Sequence, residues 1–172
     1  MASELYTRTN QKIFYAGLSL ESLRKAEAGQ AINSPALIQA ERESALFHLY
    51  GALLGLCHEV AGFYRLPQSN AARAEILLDK ALLEAAPSPE FAELVELAGQ
   101  SETWLAQLLK AYADLFVPQQ TASKAKVDPT TPLITSVTLE EEPVELSSAE
   151  LEVWRQELKS LARRFRESLT EW

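Results

Sequence analysis

Apolar residues recur every three or four positions over most of the chain, which is the period of an amphipathic α-helix. The first such stripe lies in residues 3–28 and consists of Ile13, Ala16, Gly17, Leu20 and Leu23. A second and more apolar segment begins at Ser34-Pro35, residue types preferred at helix N-termini, and runs to Leu66, where Pro67 ends it. The length and apolar character of this second helix predict that it lies at the centre of the domain.

Two further helical segments follow before the pattern is lost. One is predicted over residues 71–86, with Ser69 or Asn70 as its N-cap. The other begins at Ser88-Pro89, reaches Phe116 and is interrupted at Gly99-Gln100-Ser101. The short connections between these four segments predict antiparallel neighbours.

Residues 117–146 differ from the rest in composition, since they contain four prolines and an acidic run. They predict a long, irregular and partly mobile connection inside the domain. Within it, residues 133–139 are rich in β-formers and are either an ordered extended segment or part of the loop.

A capping box opens the last helix, because Ser147 and Glu150 have the S-x-x-E spacing. The apolar stripe behind it consists of Leu151, Trp154, Leu158, Leu161, Phe165, Leu169 and Trp172. Together the segments predict an all-α fold in one domain over residues 1–172. The expected architecture is an antiparallel four- to five-helix bundle with a long crossover before the C-terminal helix.

Charge and cysteine content narrow the classes of function. The net charge of −8 disfavours nucleic-acid binding, since that binding depends on Lys and Arg. The polar first ten residues do not resemble a signal peptide, and Cys57 has no second cysteine to pair with. Ionisable residues interrupt the longest apolar stretch, which argues against a membrane span. We therefore expect a cytoplasmic protein.

The second helix carries an unusual face of small and polar residues, spaced by 4, 3, 4, 3 and 4 positions. Its members are Ser44, His48, Gly51, Gly55, His58 and Gly62. One interpretation is close packing, in which the glycines admit another helix and each histidine finds a hydrogen-bond partner. The other is the floor of a ligand pocket, with His48 or His58 as ligand or base and a polar partner such as Tyr6 or Asn10.

No metal site or cofactor is predicted. The two histidines are ten residues apart on one helix, roughly 15 Å, so they cannot hold one ion. Cys57 lies within the apolar helix, where we expect a buried and unreactive thiol.

Arg42 and His48 resemble the Arg-x5-His signature of HEPN ribonucleases, which are helical proteins. In that family the arginine and histidine act on RNA at a site that a dimer assembles.

The last helix has a basic side formed by Arg155, Lys159, Arg163 and Arg166. These residues either dock beside the acidic third and fourth helices in ordinary ion pairs or present a surface to a partner protein. Trp172 is a candidate exposed indole for such a surface. The other aromatic residues at helical spacing are expected in the core: Tyr15, Tyr64, Trp104 and Trp154.

Four segments resemble a family of pseudomonad helical proteins of unknown function. They are residues 4–12 (ELYTRTNQK), residues 46–59 (LFHLYGALLGLCHE) and the closing FRE and EW around Phe165 and Trp172. The resemblance covers nearly the whole chain and is weakest over residues 119–145. It implies a bacterial cytoplasmic protein without an assigned activity, and it transfers no catalytic residue.

The leading hypothesis is a non-enzymatic helical module for protein interaction or regulation, since no complete catalytic or metal-binding set of residues is found. Its partner is a second protein or another copy of the chain. The alternative is an HEPN-like ribonuclease or small-ligand binder that uses the His48/His58 face.

Overall fold

The computed structural model describes residues 2–118 and 145–170, with side chains from residue 4 onward. Within these ranges the chain is all-α, as predicted, and has no strand. The helices are α1 (Ala2–Ala28), α2 (Ser34–Phe63), α3 (Ala74–Leu77), α4 (Lys80–Ala85), α5 (Pro89–Gly99), α6 (Trp104–Asp114) and α7 (Ser148–Thr170). Most of the predicted connection, including residues 133–139, and Trp172 lie outside the described residues.

Helices α1 and α2 form an antiparallel hairpin. Thr9, near the start of α1, faces Gly55 near the end of α2, while Ser19 further along α1 meets Ser44. Helix α7 packs against both. It is antiparallel to α1, because Ser148 donates a hydrogen bond to Glu27 at the far end of α1.

Helix α2 is the central helix, as its composition predicted. It contacts α1, α3, α5, α6 and α7, and Leu49, Leu53 and Val60 are fully buried. By length and composition alone, α2 is the one described helix that passes as a membrane-span candidate, and two thirds of its most apolar window is buried inside the fold. Core helices of folded domains meet the same criteria.

The helix predicted over residues 71–86 is instead two short ones. Neither Ser69 nor Asn70 caps it, since α3 begins after Arg73. The hydroxyl of Tyr50, on α2, accepts a hydrogen bond of 3.0 Å from the Ala74 amide at this start. Asp79 then caps α4 through the Ala81 amide. A distant tyrosine and an internal aspartate therefore set boundaries that local periodicity does not reveal.

The predicted interruption at residues 99–101 is confirmed, since α5 ends at Gly99 and Thr103 caps α6 by accepting a hydrogen bond from the Ala106 amide. The capping box of α7 is also confirmed. The Ser147 amide donates to the Glu150 carboxylate at 3.1 Å, and the Glu150 amide donates to the Ser147 hydroxyl at 3.2 Å.

Candidate functional site

Half of the small and polar face of α2 packs against α1. A Cβ atom at Gly55 would lie 2.6 Å from the Thr9 hydroxyl oxygen, and one at Gly51 would lie 3.1 Å from Cδ of Lys12. Ser44 shares a 2.9 Å hydrogen bond with Ser19 of α1. These three positions therefore serve the close approach of two helices, while the two histidines have separate surroundings.

His58 is 7% exposed, and its ring is fixed by the backbone. Its Nε2 lies 2.7 Å from the carbonyl oxygen of Ala71. Because a carbonyl only accepts, Nε2 must carry the proton and donate it. In the neutral ring, Nδ1 then carries the lone pair and is the atom left to accept a hydrogen bond.

His58 also lines a cleft. The cleft has a volume of about 620 Å³ and lies between the start of α1 and the end of α2. Its lining includes Tyr6, His58, Gly62, Phe63, Arg65 and Leu66. The structure thus places His58 and Gly62 of the predicted face, together with Tyr6 from α1, around one concavity, whereas Gly51 and Gly55 lie in the helix contact.

Arg65 holds an unusual backbone conformation at the rim of this cleft. Its φ of 53° is left-handed, and it is the one non-glycine residue with positive φ in the described chain. The Leu66 amide donates to the Ala61 carbonyl at 2.9 Å and the Arg65 amide to that of Gly62 at 3.2 Å. These two bonds are the Schellman motif, whose left-handed position is usually glycine.

His48 lies elsewhere on α2, among aromatic rings. Its ring centroid is 5.5 Å from that of Tyr15 and 5.3 Å from that of Phe47, and Phe14 adjoins Tyr15 at 6.3 Å. The Lys12 ammonium lies 4.7 Å above the Phe47 ring. Burial and the nearby Lys12 charge lower the pKa of His48, and its buried Nδ1 has no hydrogen-bond partner among the described residues.

These rings lie side by side at the surface, and Leu18 is one helical turn from Phe14 and Tyr15. We call Phe14, Tyr15, Leu18, Phe47 and His48 the aromatic face. The exposed fractions are 59% for Phe14, 48% for Leu18 and 51% for Phe47. Tyr15, which we predicted in the core, is 40% exposed. Helical spacing places Tyr15 beside the core stripe, but its side chain lies at the exposed edge of the contact between α1 and α2.

Two arginines of the basic side of α7 are held within the fold. Arg155 donates from Nε to the Ile13 carbonyl at 3.0 Å, and Gly17 leaves room for it, since a Cβ there would lie 2.8 Å from the guanidinium. Arg166 makes two hydrogen bonds of 2.8 Å to Glu59, whose side chain is 1% exposed. The predicted basic surface of α7 is therefore not one exposed face, because two of its four basic residues bind groups within the fold.

The remaining basic residues of α7 lie outside these contacts. Arg163 and Lys159 are exposed, and Arg163 is 4.0 Å from Glu167 of its own helix. Arg164, which is not part of the predicted basic side, forms a two-point pair with Glu93 of α5.

Arg42 and His48 are not brought together. Arg42 donates to Gln39, to the Leu146 carbonyl and to the Glu145 carboxylate at 2.8 to 3.0 Å. These contacts tie the segment before α7 to α2, whereas His48 contacts Tyr15 of α1. Within one copy of the described chain, Arg42 and His48 therefore have different partners.

Cys57 is fully buried, and burial raises the pKa of its thiol to about 12. Such a thiol is protonated at neutral pH and unreactive. Within the described ranges, no three His, Cys, Asp or Glu side chains are grouped so that they could hold a metal ion.

Several buried polar contacts were missed from the sequence. Tyr64 donates to Glu90 at 2.8 Å, and Ser168 of α7 donates to the same carboxylate at 2.6 Å. Burial and the hydrogen-bonded Glu90 raise the pKa of Tyr64 to about 12. Spacing does not predict such contacts, because each joins different helices.

Comparison with known proteins identifies the family. The model of a family of unknown function, DUF6586, matches residues 1–172, and the chain therefore belongs to that family. No curated protein and no solved structure matches the chain.

Proposed function

We propose that the protein is a non-enzymatic interaction module of the bacterial cytoplasm that acts as a homodimer joined through the aromatic face. The observation that carries this proposal is the continuous exposure of Phe14, Tyr15, Leu18 and Phe47 around His48. Contiguous apolar surface rimmed by polar groups marks interaction sites, whereas single exposed apolar residues do not.

The charges beside this face favour a second copy as its occupant. Phe47 lies one helical turn from Glu43 on one side and one turn from Gly51, which Lys12 covers, on the other. Because the Lys12 ammonium lies 4.7 Å above the Phe47 ring, a two-fold axis between Phe47 and Glu43 would place Lys12 of each copy beside Glu43 of the other. Symmetric interfaces are self-complementary in this way, and aromatic residues are enriched at their centres.

The remaining parts of the proposal rest on composition and family. A net charge of −8 disfavours nucleic acid as a partner, and burial of two thirds of the most apolar window of α2 supports a core helix over a membrane span. The buried lone thiol of Cys57 suits a reducing compartment. The resemblance to pseudomonad proteins supports a bacterial cytoplasmic origin.

Sedimentation velocity over a concentration series tests the homodimer. We expect wild type to dimerise at about 100 μM or below, a range in which a micromolar complex is largely formed. Phe47→Glu puts a charge at the centre of the face and should leave a folded monomer. Val153→Glu is the matched control, because Val153 is a similarly exposed apolar residue (57%) on α7. A monomeric wild type, or a Phe47→Glu variant that dimerises like wild type, contradicts the proposal.

A further inference from the structure

We infer that the cleft between α1 and the end of α2 binds a zwitterionic amino acid whose planar ring carries an N–H group. His58 Nδ1 accepts from that N–H, Arg65 meets the carboxylate and Glu4 meets the ammonium. This ligand site is separate from the aromatic face, since Gly62 lies 15 residues, roughly 22 Å, beyond Phe47 on α2.

The hydrogen-bond acceptor is the best-defined part of the site. His58 is more than nine-tenths buried, lines the cleft, and is held in one tautomer by the 2.7 Å bond from Nε2 to Ala71. No described residue donates a hydrogen bond to Nδ1, and Nδ1 is not one of the unpartnered side-chain atoms that are sealed from solvent, so an accessible acceptor adjoins the cleft. A ligand N–H group satisfies this acceptor, and a ligand without one leaves it unpaired.

The walls of the cleft suit an aromatic ring. Tyr6 and Phe63 contribute aromatic surface from the two helices, and Leu5 and Leu66 add aliphatic surface. A volume of about 620 Å³ lies within the range of roughly 300–1,000 Å³ that small-molecule sites occupy. Sites of this kind combine mostly apolar walls with a few fixed polar groups.

The charges around the cleft select a zwitterion. Arg65 and Glu4 both line it, and neither has an ion-pair partner among the described residues. The third charge, Glu59, is neutralised by its two-point pair with Arg166. One free cation and one free anion at the same concavity match the carboxylate and ammonium of an amino acid.

The backbone of Arg65 supports a role for its side chain. Glycine is the residue that its left-handed position favours, and a larger residue there carries a conformational cost. Strained residues of this kind cluster at ligand sites. Arginine at this position is consistent with a requirement for its charge at the rim of the cleft.

Isothermal titration calorimetry with L-tryptophan and 1-methyl-L-tryptophan tests the inference. The methylated probe keeps the ring, carboxylate and ammonium but lacks the N–H donor. We expect L-tryptophan to bind wild type and the methylated probe to bind at least about tenfold more weakly, the factor that 1.4 kcal/mol represents. No heat of binding with L-tryptophan, or equal affinity for both probes, overturns the inference.

Two variants locate the site. In His58→Gln, the amide nitrogen can replace Nε2 as donor to Ala71 while the Nδ1 acceptor is lost, so the difference between the two probes should disappear. Gly62→Leu should abolish binding by filling the cleft, and it should fold, since a Cβ there meets only Cδ1 of Leu5 at 3.5 Å. Gly99→Leu, on α5, is the matched control because nothing lies within 4 Å of its Cβ position. Unchanged tryptophan binding by folded Gly62→Leu excludes this cleft.

Discussion

Replacing three glycines of α2 by alanine, one at a time, distinguishes the packed part of the small and polar face from its open part. Gly55→Ala is the most demanding change, because the new Cβ would lie 2.6 Å from the hydroxyl and 3.4 Å from Cα of fully buried Thr9. Overpacking of this kind costs about 1–3 kcal/mol, and replacing a helical glycine by alanine recovers about 1 kcal/mol. We expect Gly55→Ala to lose up to about 2 kcal/mol of unfolding free energy.

The other two glycines should respond differently. At Gly51 the nearest atom, 3.1 Å away, is Cδ of Lys12, a flexible side chain that can move by a few tenths of an ångström. At Gly62 the nearest atom is at an ordinary contact distance of 3.5 Å. We expect Gly51→Ala to be close to neutral and Gly62→Ala to gain up to about 1 kcal/mol from helix propensity.

Urea unfolding followed by circular dichroism measures these differences. All variants carry Phe47→Glu, so that dimer formation does not contribute to the free energy of unfolding. Adding Thr9→Ala to Gly55→Ala removes the clashing hydroxyl and should recover part of the loss. If Gly55→Ala is as stable as Gly62→Ala, the close approach of α1 to α2 at this position is wrong.

Three further predictions concern single side chains. The pKa of His48 in the folded protein lies below its ordinary value, so the unfolded chain binds a proton more readily. The free energy of unfolding should therefore fall as the pH drops below about 6.5. In urea titrations at pH 7.5 and 5.5, His48→Gln should remove this dependence. Arg166→Met leaves the Glu59 carboxylate buried without its partner and should lose about 3–5 kcal/mol in the same assay, whereas a loss below 1 kcal/mol refutes the buried pair. Arg65→Gly should raise the free energy of unfolding by up to about 1 kcal/mol. A decrease contradicts the strain inferred for the left-handed backbone of Arg65.

The parts of the fold that depend on local sequence were predictable. The boundaries of α1 and α2 agree with the predicted ones to within three residues, because apolar periodicity and Ser34-Pro35 mark them. The start of α7 was predicted from Ser147 and Glu150, which satisfy each other's amides without help from the rest of the chain.

Interactions between distant residues were not predictable. The Tyr50 hydroxyl bonds the start of α3, and Arg166 pairs with Glu59 across 107 residues. Helical spacing identifies a stripe as apolar but does not say where the neighbouring helix ends. For this reason Tyr15 was placed in the core, although α2 leaves it at the edge of the packed seam.

For the candidate site, the sequence indicated the correct helix face but could not divide it. Spacing put His48 and His58 on one side of α2, where Gly51 and Gly55 contact α1. It did not show that His58 adjoins a cleft while His48 lies among exposed rings, because that difference depends on where α1 begins and which of its side chains lie opposite.

An exchange of charges at the proposed dimer interface tests the central claim most directly. The Lys12–Glu43 contact occurs twice in a symmetric dimer, so Lys12→Glu or Glu43→Lys alone brings two pairs of like charges together. For each single variant we expect the dimer Kd from sedimentation equilibrium to rise by about tenfold or more. In the double variant the pairs are opposite again, so the Kd should return close to that of wild type. Single variants that dimerise normally, or a double variant no better than either, would contradict the symmetric contact between Lys12 and Glu43.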